Sequence, residues 1–328
     1  MGAYSGTSPS NRDRDFMKQT VVDPSASLFR APETTQIVDC EALATADWAS
    51  ANFIVNGDAS EALALMPSGF INTVVTSPPY FGQRDYEVEG QVGSEACHSE
   101  YVNRLVSIFR GVREVLRDDG TLWLNLGDKY RKGALLGMPW RVALALVDDG
   151  WTLRSDVIWH KPNAMPHSAK TRPTTDHEYL FMFSKSKEYY YDADAIREPH
   201  VTFSENSKMR GGRNHLGKRG GTPEAGKNKG NSNLHDARWD QAFHPLGRNR
   251  RTVWSVPLGK FREAHFAVFP EKLIEPCVLA GSPRGGLVLD PFFGSGTAGL
   301  VALNNGRRFV GIDLNRDYCE MARRRLIT

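Results

Sequence analysis

The sequence predicts an α/β fold, a doubly wound and mainly parallel sheet, on three observations. From residue 52 onward, short apolar and β-branched runs alternate with stretches whose apolar residues recur at helical spacing, the pattern of strands joined by crossover helices. Several of these runs end in Gly-Asp, or in Asp before a Gly-rich turn, and open α/β sheets hold their ligands beyond the carboxyl ends of the strands. Two further runs near residues 178–191, separated by a few polar residues, read as an antiparallel pair at the sheet's edge.

A chain of 328 residues can bury a large core. Its four cysteines, Cys40, Cys97, Cys277 and Cys319, are far apart and form no CxxC pair, so neither a disulfide scaffold nor a zinc cluster is suggested. No His/Asp/Glu spacing suggests a metal site. There is no apolar run of membrane-spanning length, and the first residues, with Arg12, Asp13, Arg14 and Asp15, lack a signal-peptide core. The expectation is a soluble, cytoplasmic protein with no membrane partner.

Residues 1–50, rich in Ser, Thr, Pro and Ala without sustained periodicity, read as an N-terminal extension, flexible or draped over the domain, with a short helix or strand at 43–48. Residues 51–200 form the first half of the domain. A strand at 52–58 leads into a helix at 59–66, with Asp58 at the junction where an N-cap belongs. The apolar run at 70–75 meets Thr76-Ser77-Pro78-Pro79-Tyr80. Two consecutive prolines force the chain extended and remove N–H donors, so a hydroxyl, carbonyls and an aromatic ring are displayed at a strand end. A packing tyrosine after a Pro-Pro turn is the plainer alternative. A loop at 81–95 follows, then an amphipathic helix through Tyr101, Leu105, Ile108, Val112, Val115 and Leu116, stopped by Asp118-Asp119-Gly120. Next come a strand at 121–126 ending at Gly127-Asp128, a helix at 138–147, a strand at 151–159, and a hairpin of 178–183 with 189–191.

Composition changes at residue 201. Residues 201–262 carry thirteen Lys and Arg against four Asp and Glu, +9 in a chain whose total is +3. A solvated, disordered insert is one reading; a segment that grips a polyanion explains the charge better. Residues 201–259 are therefore the candidate nucleic-acid insert, with Arg210, Arg213, Lys218, Arg219, Arg248, Arg250 and Arg251 as candidate contacts. Residues 260–328 resume the fold: a helix opening at Pro270, a buried strand ending at Asp290, the turn Pro291-Phe292-Phe293-Gly294-Ser295-Gly296-Thr297, a helix, a strand ending at Asp313, and a last helix. Asp313 lies 23 residues after Asp290, the layout of a nucleoside-binding βαβ unit whose acid accepts from ribose hydroxyls. The turn lacks GxGxxG and suits a ligand without phosphate; a dinucleotide remains the alternative.

Ser77 to Tyr80 together with Asp290 to Thr297 resemble the paired signatures of the amino-methylating DNA methyltransferases, an SPPY or DPPY catalytic motif and a DPFxGSGT motif that binds S-adenosylmethionine. Catalytic motif first, cofactor motif second and a basic insert between them match the circularly permuted β group. The resemblance implies that Ser77 and the Pro78 carbonyl accept from the exocyclic amine of a flipped base, that Pro79 keeps the chain extended, and that Tyr80 stacks on the base. It implies a cofactor site at Asp58, Pro270, Glu271, Asp290, Phe292, Gly294, Ser295, Gly296, Thr297 and Asp313. Double-stranded DNA is the implied substrate and a cognate restriction endonuclease an implied partner, for a monomer or homodimer. Ser at the first catalytic position favours cytosine N4 over adenine N6. Two rival readings are a DNA-binding protein on a degenerate methyltransferase fold, and an RNA or small-molecule methyltransferase. Pro276-Cys277, the only Pro-Cys pair, lies at core positions of a helix, so a 5-methylcytosine mechanism with a cysteine nucleophile is discounted. His160 and His265 read as structural or phosphate-facing.

Overall fold

The computed structural model describes residues 35–83, 88–199, 246–259 and 269–327. Among them eleven strands and six α-helices follow one another along the chain: β1 (Gln36–Asp39), β2 (Phe53–Asn56), α1 (Ala59–Leu65), β3 (Ile71–Thr76), α2 (His98–Val115), β4 (Leu116–Leu126), β5 (Tyr130–Arg131), β6 (Ala134–Leu135), α3 (Met138–Asp148), β7 (Thr152–His160), β8 (His177–Ser184), β9 (Val253–Ser255), α4 (Glu271–Gly281), β10 (Leu287–Asp290), α5 (Thr297–Asn304), β11 (Arg308–Asp313) and α6 (Arg316–Ile327). Nine strands make one sheet in the order β1-β2-β11-β10-β3-β4-β8-β7-β9, and β5 and β6 form a separate small hairpin.

The strands from β1 to β4 in that order are parallel. Only β8 runs against its neighbours β4 and β7. Apolar runs such as Ile71, Val74 and Val75 in β3, or Leu287, Val288 and Leu289 in β10, are buried on both faces, as central parallel strands require. One face is covered by α1, α2 and α3, through residues such as Ala62, Leu105, Val112 and Val142. The other is covered by α4, α5 and α6, through Leu273, Val278, Val301 and Ala322. The doubly wound prediction therefore holds. In α2 the buried positions Tyr101, Leu105, Ile108, Val112 and Val115 keep the predicted three- and four-residue spacing. A fully buried leucine on such a face contributes about 1.5–3 kcal/mol.

Four local expectations change. The sheet starts before residue 51: Gln36–Asp39 pairs in register with Phe53–Asn56 as an edge strand, and residues 40–45 form a 3-10 turn. A four-residue edge strand is too short to leave a period in the sequence. Asp118-Asp119-Gly120 does not separate helix from strand, because β4 begins at Leu116, directly after α2, and the register against β3 shifts between Ile71 and Thr73. The antiparallel partner of β8 is β7, matched from Thr152↔Ser184 to His160↔His177 with a register shift between Leu153 and Ser155, whereas residues 189–191 form no strand. Their aromatic run is instead held by Tyr190 N donating to the Asp119 carbonyl at 2.8 Å. The antiparallel strand consequently lies inside the sheet, between β4 and β7. Finally, the far end of the expected insert belongs to the sheet: β9 pairs in parallel with β7, and Trp254 is buried 6.3 Å from Trp123, centroid to centroid.

Candidate active site

The chain leaves β10 toward β11 on one side and β3 toward β4 on the other, so the carboxyl ends of β10 and β3 flank the crevice where ligands collect in open α/β sheets. Both sequence motifs open into it. Thr76 Oγ1, at the end of β3, donates to Asp290 Oδ1, at the end of β10, at 2.6 Å. The pocket there is lined by Asp58, Ser77, Pro78, Pro79, Tyr80, Asp290, Phe292, Gly294, Ser295, Thr297 and Asp313 among the expected residues.

On the β10 side, Asp290 is buried, and burial pushes its carboxyl up to about 7 despite the bonds from Thr76 and from the Phe292 N–H. Burial likewise raises Asp313 to about 6. Asp313 Oδ2 accepts from Gly294 N at 2.7 Å and Oδ1 from Asn315 N at 2.9 Å, so it shapes the glycine turn as well as facing the pocket. An ionised carboxylate keeps lone pairs beyond these for ligand hydroxyls. Asp58 caps α1 through Ser60 N and Glu61 N, as a residue at that junction should, and it also lines the pocket.

Three expected cofactor residues stand elsewhere. Gly296 has φ +81°, and a Cβ there would come within 2.9 Å of Ala322 Cβ, so it turns the chain into α5 and does not line the pocket. Pro270 and Glu271 open α4 outside the lining, with Glu271 Oε1 accepting from Arg325 Nη2 at 2.7 Å; Phe269 takes their place at the pocket. Arg325 also donates to Thr297 Oγ1 at 2.8 Å and to Ser295 Oγ at 3.2 Å, tying α4 and the glycine turn to α6.

On the β3 side, the Tyr101 hydroxyl of α2 donates to the Pro79 carbonyl at 2.9 Å. The Pro78 carbonyl accepts from no group among the described residues. Ser77 and Tyr80 belong to a network that includes residues the sequence reading missed. Tyr80 Oη donates to Glu178 Oε2 at 2.7 Å, and Ser77 Oγ donates to Tyr80 Oη at 3.2 Å. Asn125 Nδ2 reaches Tyr80 Oη at 2.6 Å and Glu178 Oε2 at 2.7 Å. Lys161 Nζ pairs with Glu178 Oε1 and lies 4.5 Å from the Trp159 ring centroid. Asn125 ends β4, Lys161 follows β7 and Glu178 begins β8, so sheet order alone brings them together.

The direction of this network follows from its donors. A carboxylate paired with Lys161 accepts, so the Tyr80 proton points to Glu178 and the tyrosine oxygen accepts from Ser77, while Ser77 Oγ accepts from Asn125 Nδ2 at 3.5 Å and keeps a second lone pair for the pocket. Burial and the Glu178 charge hold the Tyr80 phenol well above its ordinary value, which keeps that proton in place.

The charged lining is one-sided: Asp58, Glu178, Asp290 and Asp313 against Lys161 alone among the described residues, and Lys161 is engaged by Glu178. A phosphate-bearing dinucleotide would meet carboxylates there. A ligand with ribose hydroxyls, an apolar base to lie near Pro291 and Phe292, and net positive charge fits, and S-adenosylmethionine has all three. At Gly294, φ +50° and open space at the Cβ position leave the backbone bare toward such a ligand.

The remaining sequence candidates that the structure describes are not part of the pocket lining. Arg210, Arg213, Lys218, Arg219 and His265 lie outside the described residues. Arg248 Nη2 pairs with Glu198 Oε2 at 3.1 Å, and the two residues exchange backbone bonds. Arg250 lies 4.5 Å from the Trp254 ring centroid, and Arg251 is exposed. His160 Nδ1 and Ser255 Oγ, 2.9 Å apart, join β7 to β9. Cys277 is fully buried and its thiol strongly raised by burial, which suits a core residue and not a nucleophile. Among the described residues no cluster of His, Cys, Asp and Glu is placed to hold a metal, and no helix is long and apolar enough to cross a membrane.

Strand order, an acidic pocket and an acceptor-bearing turn beside it define the class: a doubly wound α/β protein that holds a nucleoside-like ligand at the carboxyl ends of β3 and β10. The particular family follows from comparison with known proteins. The chain belongs to the DNA methylase family of N6 and N4 methyltransferases, whose model matches residues 71–324. It is 42% identical over 302 residues to the type II methyltransferase M.Cfr9I of Citrobacter freundii, covering 83% of this chain and 87% of that one. It is 41% identical over 303 residues to the type II methyltransferase M.SmaI of Serratia marcescens, covering 84% and 90%. Among solved structures, the cytosine-N4-specific PvuII DNA methyltransferase superposes with a TM-score of 0.61 at 22% identity, over 83% of this chain and 85% of that one, a likeness of fold. A putative DNA modification methylase of Thermus thermophilus, solved in complex with S-adenosyl-L-methionine, superposes with a TM-score of 0.53 at 25% identity, over 83% and 93%.

Proposed function

We propose that this DNA methyltransferase transfers a methyl group from S-adenosylmethionine to the exocyclic N4 amine of a cytosine flipped out of duplex DNA, as the modification enzyme of a type II restriction-modification system. The observation that carries the reading is the orientation of Ser77: its own proton is committed to Tyr80, so toward the pocket it is an acceptor, the complement of an amine N–H.

An exocyclic amine is a poor nucleophile because its lone pair is delocalised into the ring. Ser77 Oγ and the Pro78 carbonyl, each accepting one N–H, favour a pyramidal nitrogen whose lone pair is free for in-line attack. Catalysis then rests on placement and polarisation. Bound S-adenosylmethionine supplies the electrophilic methyl on a sulfonium. Asp290 and Asp313 hold the donor at the end of β10, and the Thr76–Asp290 bond fixes the β3 turn against it. Tyr80 presents its ring to the extruded base while its hydroxyl stays tied to Glu178, and stacking offsets part of the few kcal/mol that extrusion costs.

The order of the two motifs supports assignment to the permuted β group. The part of residues 201–259 that precedes the Glu198–Arg248 clasp, with Arg210, Arg213, Lys218 and Arg219, is the proposed target-recognition segment, and a cognate restriction endonuclease the proposed functional partner. Relatives such as M.Cfr9I and M.SmaI, both named type II methyltransferases, support that setting. The choice of cytosine rests on Ser77, since family members with Ser at this position favour N4. Adenine N6 is the second reading, because hydroxyl and carboxylate both accept from an amine. Tritiated S-adenosylmethionine with duplex DNA, followed by hydrolysis to nucleosides, decides between them: label in N4-methylcytosine is expected, and label in N6-methyladenine would overturn the choice of base.

A further inference from the structure

We infer that Glu178 receives the proton released by the target amine, through a directed chain that runs from Ser77 by way of the Tyr80 hydroxyl. The inference rests on the amine-methylating reading and adds what becomes of the proton that methylation must shed. As the amine nitrogen bonds to the methyl carbon, the carbon–sulfur bond breaks with its electron pair going to sulfur, and the nitrogen becomes cationic. Its proton passes to Ser77 Oγ, the Ser77 proton to Tyr80 Oη, and the Tyr80 proton to Glu178 Oε2. The positive charge of the sulfonium and the negative charge of the carboxylate are lost together, so no net charge is created in the pocket.

The geometry supplies each link. Ser77 Oγ to Tyr80 Oη is 3.2 Å and Tyr80 Oη to Glu178 Oε2 is 2.7 Å, each with the donor on the substrate side. The chain is held from three strands. Asn125 of β4 donates to both Tyr80 Oη and Glu178 Oε2, Lys161 after β7 fixes the other carboxylate oxygen, and Glu178 itself begins β8. Gly127 leaves the room: a Cβ there would meet Tyr80 Cε2 at 2.6 Å and the Glu178 carboxylate carbon at 3.2 Å. A phenol held this far toward its neutral form does not hand on its proton through a free phenolate, so the transfers are concerted. The Glu178 side chain retains 15% exposure, enough to return the proton to water between turnovers.

Tyr80→Phe keeps the ring available for stacking and deletes only the hydroxyl, and Glu178→Gln removes the terminal acceptor. In single-turnover methyl transfer each should be slowed about 100-fold, the scale of positioned acid–base catalysis. The double variant should be no slower than either single one, because groups acting in one chain are not additive. Affinities for duplex DNA and for S-adenosylmethionine should stay within about threefold. In the cofactor-free protein, NMR should detect a slowly exchanging phenolic proton that Tyr80→Phe removes and Glu178→Gln shifts. Wild-type DNA methylation with both variants within about threefold of it, or with losses that multiply, overturns the relay alone. Wild type that methylates no DNA overturns the parent reading and the relay with it. Should Glu178→Gln fail to fold, with Lys161 left unpaired, the rate and NMR spectrum of Tyr80→Phe decide the question.

Discussion

Replacing Asp290 by Asn should stabilise the cofactor-free protein at pH 8 while removing most of its affinity for S-adenosylmethionine. Asp290 sits at the end of a central strand, accepting from Thr76 Oγ1 and Phe292 N, yet burial holds its carboxyl at about 7, against about 3.9 for an ordinary aspartate. The interval is about three pH units, and at about 1.4 kcal/mol per unit the folded state loses about 4 kcal/mol by carrying this charge at pH 8. A folded-state value raised above the unfolded one gives stability that is fully present below about 4 and lost as pH rises through about 7. Asparagine keeps an oxygen for both hydrogen bonds and never ionises, so the variant should recover a few kcal/mol at pH 8 and almost none at pH 4. Thermal and urea unfolding of both proteins across pH 4–8 measures this. An advantage independent of pH, or a variant less stable at pH 8, would refute the argument that desolvation dominates at Asp290. The lost affinity, read by calorimetry, would show that the unfavourable charge is retained for the ligand.

If Asp290 and Asp313 hold the cofactor as proposed, then with Asp313 at about 6 and Asp290 at about 7, affinity for the cationic ligand should fall at least tenfold from pH 8 to pH 5, and equal calorimetric affinities would contradict this. Ser77→Ala should cut turnover about 100- to 1000-fold, the usual loss for one positioned polar group, with cofactor affinity nearly intact; survival of activity sinks the polarisation argument. Gly311→Ala would place a Cβ 2.2 Å from the Phe293 ring, which stacks on Phe309 at 5.5 Å, so urea unfolding should show about 1–3 kcal/mol lost to overpacking. DNA affinity should fall steeply between 50 and 200 mM salt if residues 201–259 grip phosphates, and a salt-independent affinity would remove that role.

The legible parts of the site were those written in consecutive residues. A β-branched run stopped by two prolines, and an Asp followed by a glycine turn, each specify a local backbone, and Ser77, Asp290, Phe292, Gly294 and Asp313 reach the pocket as their local patterns require. Asn125, Lys161 and Glu178 carry no such signature. Asn125 reads as one polar residue in a strand, and Glu178 as the start of a hairpin. Their meeting depends on β8 inserting antiparallel between β4 and β7, with Asn125 opposite Leu180 and Leu126 opposite Tyr179. The hairpin expectation failed on the same point. Two close aromatic runs predict pairing with each other, but the longer strand β7, ending at His160 before β8 begins at His177, offers more ladder bonds. Gly127 was the one local hint, since a glycine just past a buried strand marks a close approach.

The order of the two halves along the chain also explains why a basic segment can interrupt this domain. In a parallel sheet, adjacency is set by which faces pack, not by distance along the chain, so Thr76 and Asp290 hydrogen-bond across a separation of 214 residues. The break between the two halves of the domain is closed where the backbones of Glu198 and Arg248 exchange N–H···O bonds of 3.0 and 2.8 Å and their side chains pair. Loop-closure entropy rises only slowly with length, so ends pinned in this way tolerate a long segment between them. The same clasp divides the basic residues by role. Arg248 and Arg250 are held by Glu198 and Trp254 as part of the domain, which leaves Arg251, exposed just before β9, as the cation of this stretch that is presented outward. On the proposed reading, gripping DNA is therefore the part assigned mainly to the cations that precede the clasp in sequence, and DNA affinity should respond more to replacing those than to replacing Arg248 or Arg250.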